Sequence, residues 1–137
     1  MNRFLLSALA AVFALSLSFG VAEAQSSAPL PPGVKAVKTS TATILTGPNG
    51  LTLYVYDADT APGKSACNGP CATNWPPLTA AADAKPVGAF TIITRDDGST
   101  QWAEGGKPLY EFKNDKAPGD TAGDGIGGKW HVATAGS

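Results

Sequence analysis

The sequence predicts an all-β domain, either a small antiparallel sandwich or a partly closed barrel, built from two related repeats with long loops. Three observations lead to this fold class. Short segments of β-branched or alternating residues are separated by Gly, Pro and Asp turns. Beyond the N-terminal apolar run, no segment keeps helical periodicity over three turns. Residues 53–63 recur as residues 109–119, at a constant spacing of 56 positions.

The N-terminus has the features of a secretory signal peptide. Arg3 precedes an apolar run at residues 4–21, and Ala22-Glu23-Ala24 matches the small-residue pattern of a cleavage site. We therefore expect a signal-peptide helix over residues 1–24, cleaved after Ala24, and a soluble periplasmic or secreted protein. No cysteine directly follows this site, so the lipobox is absent and no stable membrane insertion is expected after cleavage.

Composition and charge narrow the classes of partner. The formal net charge is −1 at pH 7, and both signs are spread along the chain. The chain thus lacks the basic stripe of a nucleic-acid-binding protein and the polybasic face that binds anionic lipid. Residues 25–35 are rich in Ser, Pro and Gly and predict a disordered leader. Residues 36–137 then form one domain, with repeats at about 43–78 and 90–133.

The first repeat begins with strands and continues as a loop. Residues 37–45 are β-branched and predict one strand, and a Gly-Pro-Asn-Gly turn separates them from residues 51–56, whose alternation predicts a second strand and a hairpin. One face of the second strand carries Leu and Val, and the other carries Thr and Tyr. Residues 57–71 are interrupted by Pro and Gly and predict a loop. Residues 72–75 predict one helical turn, which Pro76 ends.

The second repeat is predicted to contain a meander. An Ala-rich connector leads to residues 90–94, a strong strand, and an Asp-Asp-Gly-Ser turn returns the chain through residues 100–103. Residues 107–112 are the third strand of this meander. Residues 113–128 are a second Gly- and Asp-rich loop, and residues 129–133 predict a closing strand.

The recurring segment carries aromatic and acidic side chains at matched positions. Two aromatic residues lie on one face of a strand in each copy, and an Asp follows before a Pro-Gly turn. One interpretation is scaffolding, in which the rings pack in the sheet and the carboxylates close turns. The functional interpretation is an aromatic platform with an acidic rim, exposed around a shared ligand pocket. The candidate platform residues are Tyr54, Tyr56, Asp59, Tyr110, Phe112 and Asp115.

These motifs also carry a resemblance. The pattern Tyr-x-aromatic-x-x-Asp occurs twice, with GKSACNGPCATNWPPL after the first copy and PGDTAGDGIGGKWHV after the second. Over about residues 43–132 the chain resembles a bacterial family of predicted secreted lipoprotein repeats of unknown function. The resemblance implies export, a two-repeat β module and a loose association with alkane catabolism. The missing lipobox cysteine departs from the family's name.

Cys67 and Cys71 are the only cysteines, and in an exported chain the redox conditions favour a disulfide. A bridge across so short a loop adds about 2 kcal/mol of stability in the chain-entropy description, so it would pin a loop rather than hold the domain together. The alternative is a pair of metal-binding thiolates. Together with His131, the only histidine, they would make a Cys₂His zinc or copper site, although the C-x₃-C spacing is loose for one.

No complete catalytic constellation, metal set or cofactor motif stands out in the sequence. We therefore predict a non-enzymatic protein without a cofactor, an exported binding or cell-envelope accessory module for an unknown small molecule or envelope component. A periplasmic redox or metal-handling protein using Cys67, Cys71 and His131 is the first alternative. A hydrolase that uses His131 with a nearby acid is the second. For His131 itself, a role as an ordinary strand residue is expected.

Overall fold

The computed structural model describes residues 28–136, together with residues 14 and 16. The predicted signal peptide falls almost entirely outside these residues, as do the first residues of the predicted leader. None of the helices in the described part has both the length and the apolar character needed to cross a membrane.

Short antiparallel strands form the domain, which confirms the predicted all-β, sandwich-like class. The bounds are β1 Lys35–Lys38, β2 Thr43–Thr46, β3 Tyr54–Tyr56, α1 Pro70–Asn74, β4 Phe90–Thr94, β5 Thr100–Glu104, β6 Lys107–Pro108 and β7 Trp130–Val132. The strands form three sheets, in the orders β1-β2, β3-β7 and β4-β5-β6. Within the described residues, helical structure is confined to one turn, α1, and one 3₁₀ turn at Ile126–Gly128.

The segment predicted as one strand over residues 37–45 is instead a hairpin of two strands, β1 and β2. The prediction failed because hydroxyl side chains offer the backbone an alternative to extended pairing. Thr39 Oγ1 accepts the N–H of Ala42 at 3.1 Å, and the Thr39 N–H donates to the Ala42 carbonyl at 2.8 Å. These bonds reverse the chain between the two strands.

The hairpin predicted between residues 37–45 and residues 51–56 is reduced to a short contact, because β2 pairs with β1 and β3 pairs with β7. The Gly47 N–H donates to the Leu51 carbonyl at 2.9 Å, and the Leu53 N–H donates to the Leu45 carbonyl at 3.0 Å.

The predicted meander of the second repeat is confirmed, because β5 pairs with both β4 and β6.

The two repeats exchange their closing segments. Strand β3 of the first repeat pairs with β7 of the second. In the reciprocal arrangement, the Glu111 N–H of the second repeat donates to the Pro76 carbonyl of the first at 2.7 Å. At the centre, Tyr54 and Tyr110 bond each other's backbone, with N···O distances of 2.8 and 3.0 Å. Neither repeat therefore completes its hydrogen-bonded backbone alone.

Two hydrophobic cores lie on the two faces of β3 and the residues before it. Leu53 packs into one core and Tyr54 into the other, as the predicted alternation requires, but both faces are buried rather than one. The aliphatic core comprises Val34, Leu45, Leu53, Leu78, Phe90, Trp102, Leu109 and Ala133. The aromatic core comprises Tyr54, Cys67, Trp75, Tyr110, Phe112 and Trp130.

The end of the predicted leader packs onto the domain. Val34 is 5% exposed and belongs to the aliphatic core, Pro31 is buried, and Leu30 contacts the same core. In its described part, this segment differs from the disordered leader expected at residues 25–35. Its composition is typical of a flexible spacer, but the burial of its few apolar side chains against the aliphatic core holds it on the domain.

Gly123 approaches the aromatic core so closely that it leaves no room for a side chain. An added Cβ would lie 2.7 Å from Trp75 Cη2 and 3.0 Å from Tyr54 Cζ. We predict that Gly123→Ala lowers the free energy of unfolding by about 1–3 kcal/mol, because the packed rings cannot move aside. Denaturant unfolding measures the loss.

Gly47→Ala is the matched control for this change. Its added Cβ would meet Glu111 Oε1 at 3.1 Å, and this is the end of a flexible side chain that can rotate away. A loss for Gly47→Ala as large as that for Gly123→Ala would contradict the packing argument.

Candidate functional site

Four aromatic rings stack in a continuous column at the junction of the repeats. The ring centroids of Tyr56 and Trp130 are 4.2 Å apart, those of Trp130 and Trp75 are 3.8 Å apart, and those of Trp75 and Phe112 are 4.3 Å apart. The column alternates between the first and second repeats because the closing segments are exchanged. It is a contact that exists only when both repeats are folded together.

Tyr54 and Tyr110 pack edge-on against this column and bind carboxylates at their tips. The Tyr54 hydroxyl donates to Asp115 Oδ2 at 2.5 Å, and the Tyr110 hydroxyl donates to Asp59 Oδ2 at 2.6 Å. Each tyrosine therefore binds the aspartate of the other repeat. A hydrogen bond to a charged group contributes about 1.5–3 kcal/mol.

The same aspartates anchor the two long loops. Asp59 Oδ1 accepts the N–H of Ala66 at 2.6 Å, and Asp115 Oδ1 accepts the N–H of Ala122 at 2.9 Å. Each aspartate accepts a hydrogen bond from the backbone N–H seven residues downstream, so the two loops are stabilised by equivalent contacts. These are local turn contacts of the kind that the sequence predicts for the Asp residues.

Burial and these bonds alter the acidity of the groups. Burial raises the pKa of Tyr54 and of Tyr110, and the carboxylate beside each hydroxyl raises it further. Burial also raises the pKa of Asp59, although its hydrogen bonds from Ala66 and Tyr110 act in the opposite direction. The phenols are thus held in their protonated, donating form.

The predicted platform is brought together, but largely inside the protein. Tyr54 and Tyr110 are 0% exposed and Phe112 is 7% exposed, whereas Tyr56 is partly exposed. The expectation of four partly exposed rings around a pocket is therefore wrong for three of them. The physical reason is that the repeats place these faces against each other, which the alternation within one strand does not reveal.

Cys67 and Cys71 form the predicted disulfide, and neither is free. This bridge leaves no thiolate for the Cys₂His arrangement. Across the described residues, no group of three or more His, Cys, Asp or Glu side chains is placed to hold a metal ion. His131 lies on β7, and its Nε2 is 2.8 Å from Asp57 Oδ2 in an exposed pair.

Arg95 is a buried cation that the sequence reasoning missed. It is 5% exposed, and its Nη1 donates to Ser65 Oγ at 3.0 Å and to Gln101 Oε1 at 2.7 Å. Its Nη2 donates to the Cys67 carbonyl and to Asn68 Oδ1. Because Arg95 precedes an Asp-Asp-Gly-Ser turn, its position in the sequence is typical of a surface residue. Its burial results from the loop of the first repeat, which packs over its guanidinium.

A groove of about 680 Å³ lies between the β1-β2 hairpin of the first repeat and the loop of the second. Hydroxyl and aliphatic side chains make up most of its wall, together with one Asp, one Lys and His131. The lining residues are Lys35, Val37, Thr39, Ser40, Thr41, Ala42, Ile44, Thr46, Gly50, Pro118, Gly119, Thr121, Asp124, His131, Val132 and Thr134. The sequence did not predict this groove, because its two walls are far apart in the chain.

Comparison with known proteins supports the two-repeat organisation. The family Lipoprotein_15, described as a secreted repeat of unknown function, matches residues 35–79 and residues 91–134. The chain belongs to this family. The resemblance seen in the motifs is thereby confirmed, and the chain is a secreted repeat protein. Neither the curated proteins nor the solved structures contain a match to it.

The crossed tyrosine–aspartate bonds of this secreted repeat protein predict a specific pattern of energetic coupling. We expect a double-mutant cycle of Tyr54→Phe with Asp115→Asn to give a coupling energy of about 1–3 kcal/mol, since those two groups bond directly. Urea unfolding of the four proteins measures it.

Pairing the same tyrosine with the wrong aspartate is the control. Tyr54→Phe and Asp59→Asn affect groups that bond different partners, so their effects should add to within about 0.5 kcal/mol. Equal coupling in both cycles would contradict the crossed arrangement.

The raised tyrosine pKa values predict alkaline unfolding. A phenol whose pKa is higher in the folded state stabilises the protein fully below the unfolded pKa of about 10, and this contribution is lost as the pH rises above that value. We expect the melting temperature to fall steeply above about pH 10. In a Tyr54→Phe, Tyr110→Phe variant the fall should be shallower, even if the starting stability is lower. Melting curves from pH 7 to 12 measure both slopes, and equal slopes would contradict the assignment.

Proposed function

We propose that this secreted repeat protein is a non-enzymatic binding module whose ligand occupies the groove between the β1-β2 hairpin and the loop of the second repeat. One observation carries the proposal. The groove, of about 680 Å³, is walled by both repeats at the place where they interlock. Clefts of this size hold small organic ligands.

The walls of the groove favour an amphipathic ligand. Val37, Ile44 and Val132 supply aliphatic surface, and the 41% exposure of Val37 is large for such a side chain. Threonine hydroxyls and Asp124 supply hydrogen-bonding groups. An apolar body with one polar end matches this composition. An alkyl-bearing ligand would also suit the association with alkane catabolism that the family resemblance implies.

Two strands that line the groove are fixed in place by side chains buried in the two cores. Strand β2 carries Leu45, which is fully buried in the aliphatic core, and β7 carries Trp130, which is stacked in the aromatic column. Both strands also line the groove. A site on rigid strands keeps its shape without a ligand, which lowers the entropic cost of binding.

A medium-chain alcohol tests this proposal. We predict that 1-octanol, titrated into the mature protein, shifts the NMR signals of groove residues and that Val37→Asp weakens its binding about tenfold or more, because a carboxylate on the aliphatic wall must be desolvated. Chemical-shift titration gives both the location and the dissociation constant.

Ile126→Asp is the matched control, because Ile126 is also 41% exposed and does not line the groove. It should leave binding unchanged. Equal weakening by both substitutions, or shifts spread over the whole surface, would count against the groove. Turnover of a bound octanoate ester, lost in His131→Ala, would instead support the hydrolase alternative.

A further inference from the structure

The two repeats can be matched residue by residue through their hydrogen bonds. Val37 pairs with Ile44 in β1-β2 as Ile93 pairs with Gln101 in β4-β5. Ile44 and Gln101 also occupy equivalent places, since each forms a bridge to the closing segment, at Thr134 and at Thr79 respectively.

Two positions after the first residue of each pair, after Val37 and after Ile93, lies a residue whose N–H closes the hairpin turn. The Thr39 N–H donates to the Ala42 carbonyl, and the Arg95 N–H donates to the Ser99 carbonyl, both at 2.8 Å. Thr39 in the first repeat therefore stands where Arg95 stands in the second.

The long loops match in the same way. The spacing of 56 positions relates Ser65 to Thr121 and Asn68 to Asp124. The structure supports this spacing, because Asp59 binds the N–H of Ala66 and Asp115 binds the N–H of Ala122.

These equivalences relate the groove of one half to a filled space in the other half. In one half, the Arg95 guanidinium fills the space between strand and loop, with Ser65, Asn68 and Gln101 around it. In the other half, the four equivalent residues all line the groove, and a threonine replaces the arginine. They are Thr39, Ile44, Thr121 and Asp124.

We propose that the ligand of the groove carries a guanidinium group, which occupies the place that the Arg95 guanidinium takes in the other half and is held by Thr121 and Asp124. This inference rests on the proposed function and adds the chemistry of the ligand's polar end. Thr121 keeps the hydroxyl of Ser65. Asp124 replaces the amide of Asn68 with a carboxylate, and a carboxylate binds a guanidinium in charge-assisted hydrogen bonds.

The remaining groups of the groove are compatible with this ligand. Ile44 replaces Gln101 and offers aliphatic surface to the methylene stem of an alkylguanidinium. Asp124 Oδ1 accepts the Val132 N–H at 3.2 Å, which orients the carboxylate and leaves its other oxygen to the ligand. Lys35 begins β1 and lies four residues before Thr39, so the Cα atoms of the two residues are about 13 Å apart by the usual strand rise.

Three probes of equal length separate charge from shape. Hexylguanidinium carries the cation, hexylurea is its neutral counterpart of similar shape, and octanoate carries the opposite charge. We expect hexylguanidinium to bind about fivefold tighter than hexylurea, because the carboxylate is exposed and its pairing is screened by water. Asp124→Asn should remove this difference and leave hexylurea binding unchanged. Chemical-shift titration of the mature protein measures each constant.

The protein's own arginine provides a second test. Thr39→Arg should fill the groove with a guanidinium, as Arg95 does in the other half, and lower the affinity for hexylguanidinium at least tenfold. Thr91→Arg is the control, because it places the same side chain on an exposed strand position outside the groove. It should bind the probe as the parent protein does, and both variants should keep the parent's dispersion of NMR signals.

The outcomes distinguish the two proposals. Equal binding of hexylguanidinium and hexylurea in the groove, or full binding to Thr39→Arg, would overturn the guanidinium inference while the binding module stands. Absence of binding by all three probes and by 1-octanol would overturn both.

Discussion

Two tyrosine hydroxyls, each bound to an aspartate of the opposite repeat, are the contacts on which the remaining structure depends. The Tyr54–Asp115 and Tyr110–Asp59 bonds are 2.5 and 2.6 Å long, and each aspartate also ties down a loop of its own repeat. Loss of one hydroxyl would leave a desolvated carboxylate short of a donor, which costs more than the bond contributed. The loops and the interface between the repeats are therefore stabilised by the same four side chains.

The aromatic column follows from this crossing. Rings from alternate repeats stack between the exchanged segments, so each ring buries both faces against residues of the other repeat, apart from those at the two ends of the column. Offset and stacked aromatic pairs add stability beyond the area they bury. Such an arrangement favours cooperative folding, since neither repeat has a complete aromatic core or a complete backbone ladder without the other.

The repeats share the tyrosine–aspartate pairs of their interface and differ at several other buried positions. The first repeat has the Cys67–Cys71 disulfide, and the second has Gly123 where Cys67 stands and packs it against Trp75. The second repeat has Arg95 and the first has Thr39. The Arg95 guanidinium fills the space between strand and loop in one half, whereas the equivalent residues of the other half, including Thr39, line the groove.

The sequence alone determined the fold class and the two repeats and favoured the disulfide over a metal-binding thiolate pair, because these depend on local patterns. Alternation, turn residues and a repeated motif report on neighbouring residues, and Cys67 and Cys71 are close in the chain. It also identified Tyr54, Asp59, Tyr110 and Asp115 as a related set.

The sequence could not determine which aspartate each tyrosine binds, the burial of three of the four platform rings, the role of Arg95 or the existence of the groove. These features all lie between the repeats, and only the tertiary exchange of their closing segments brings the two sides into contact.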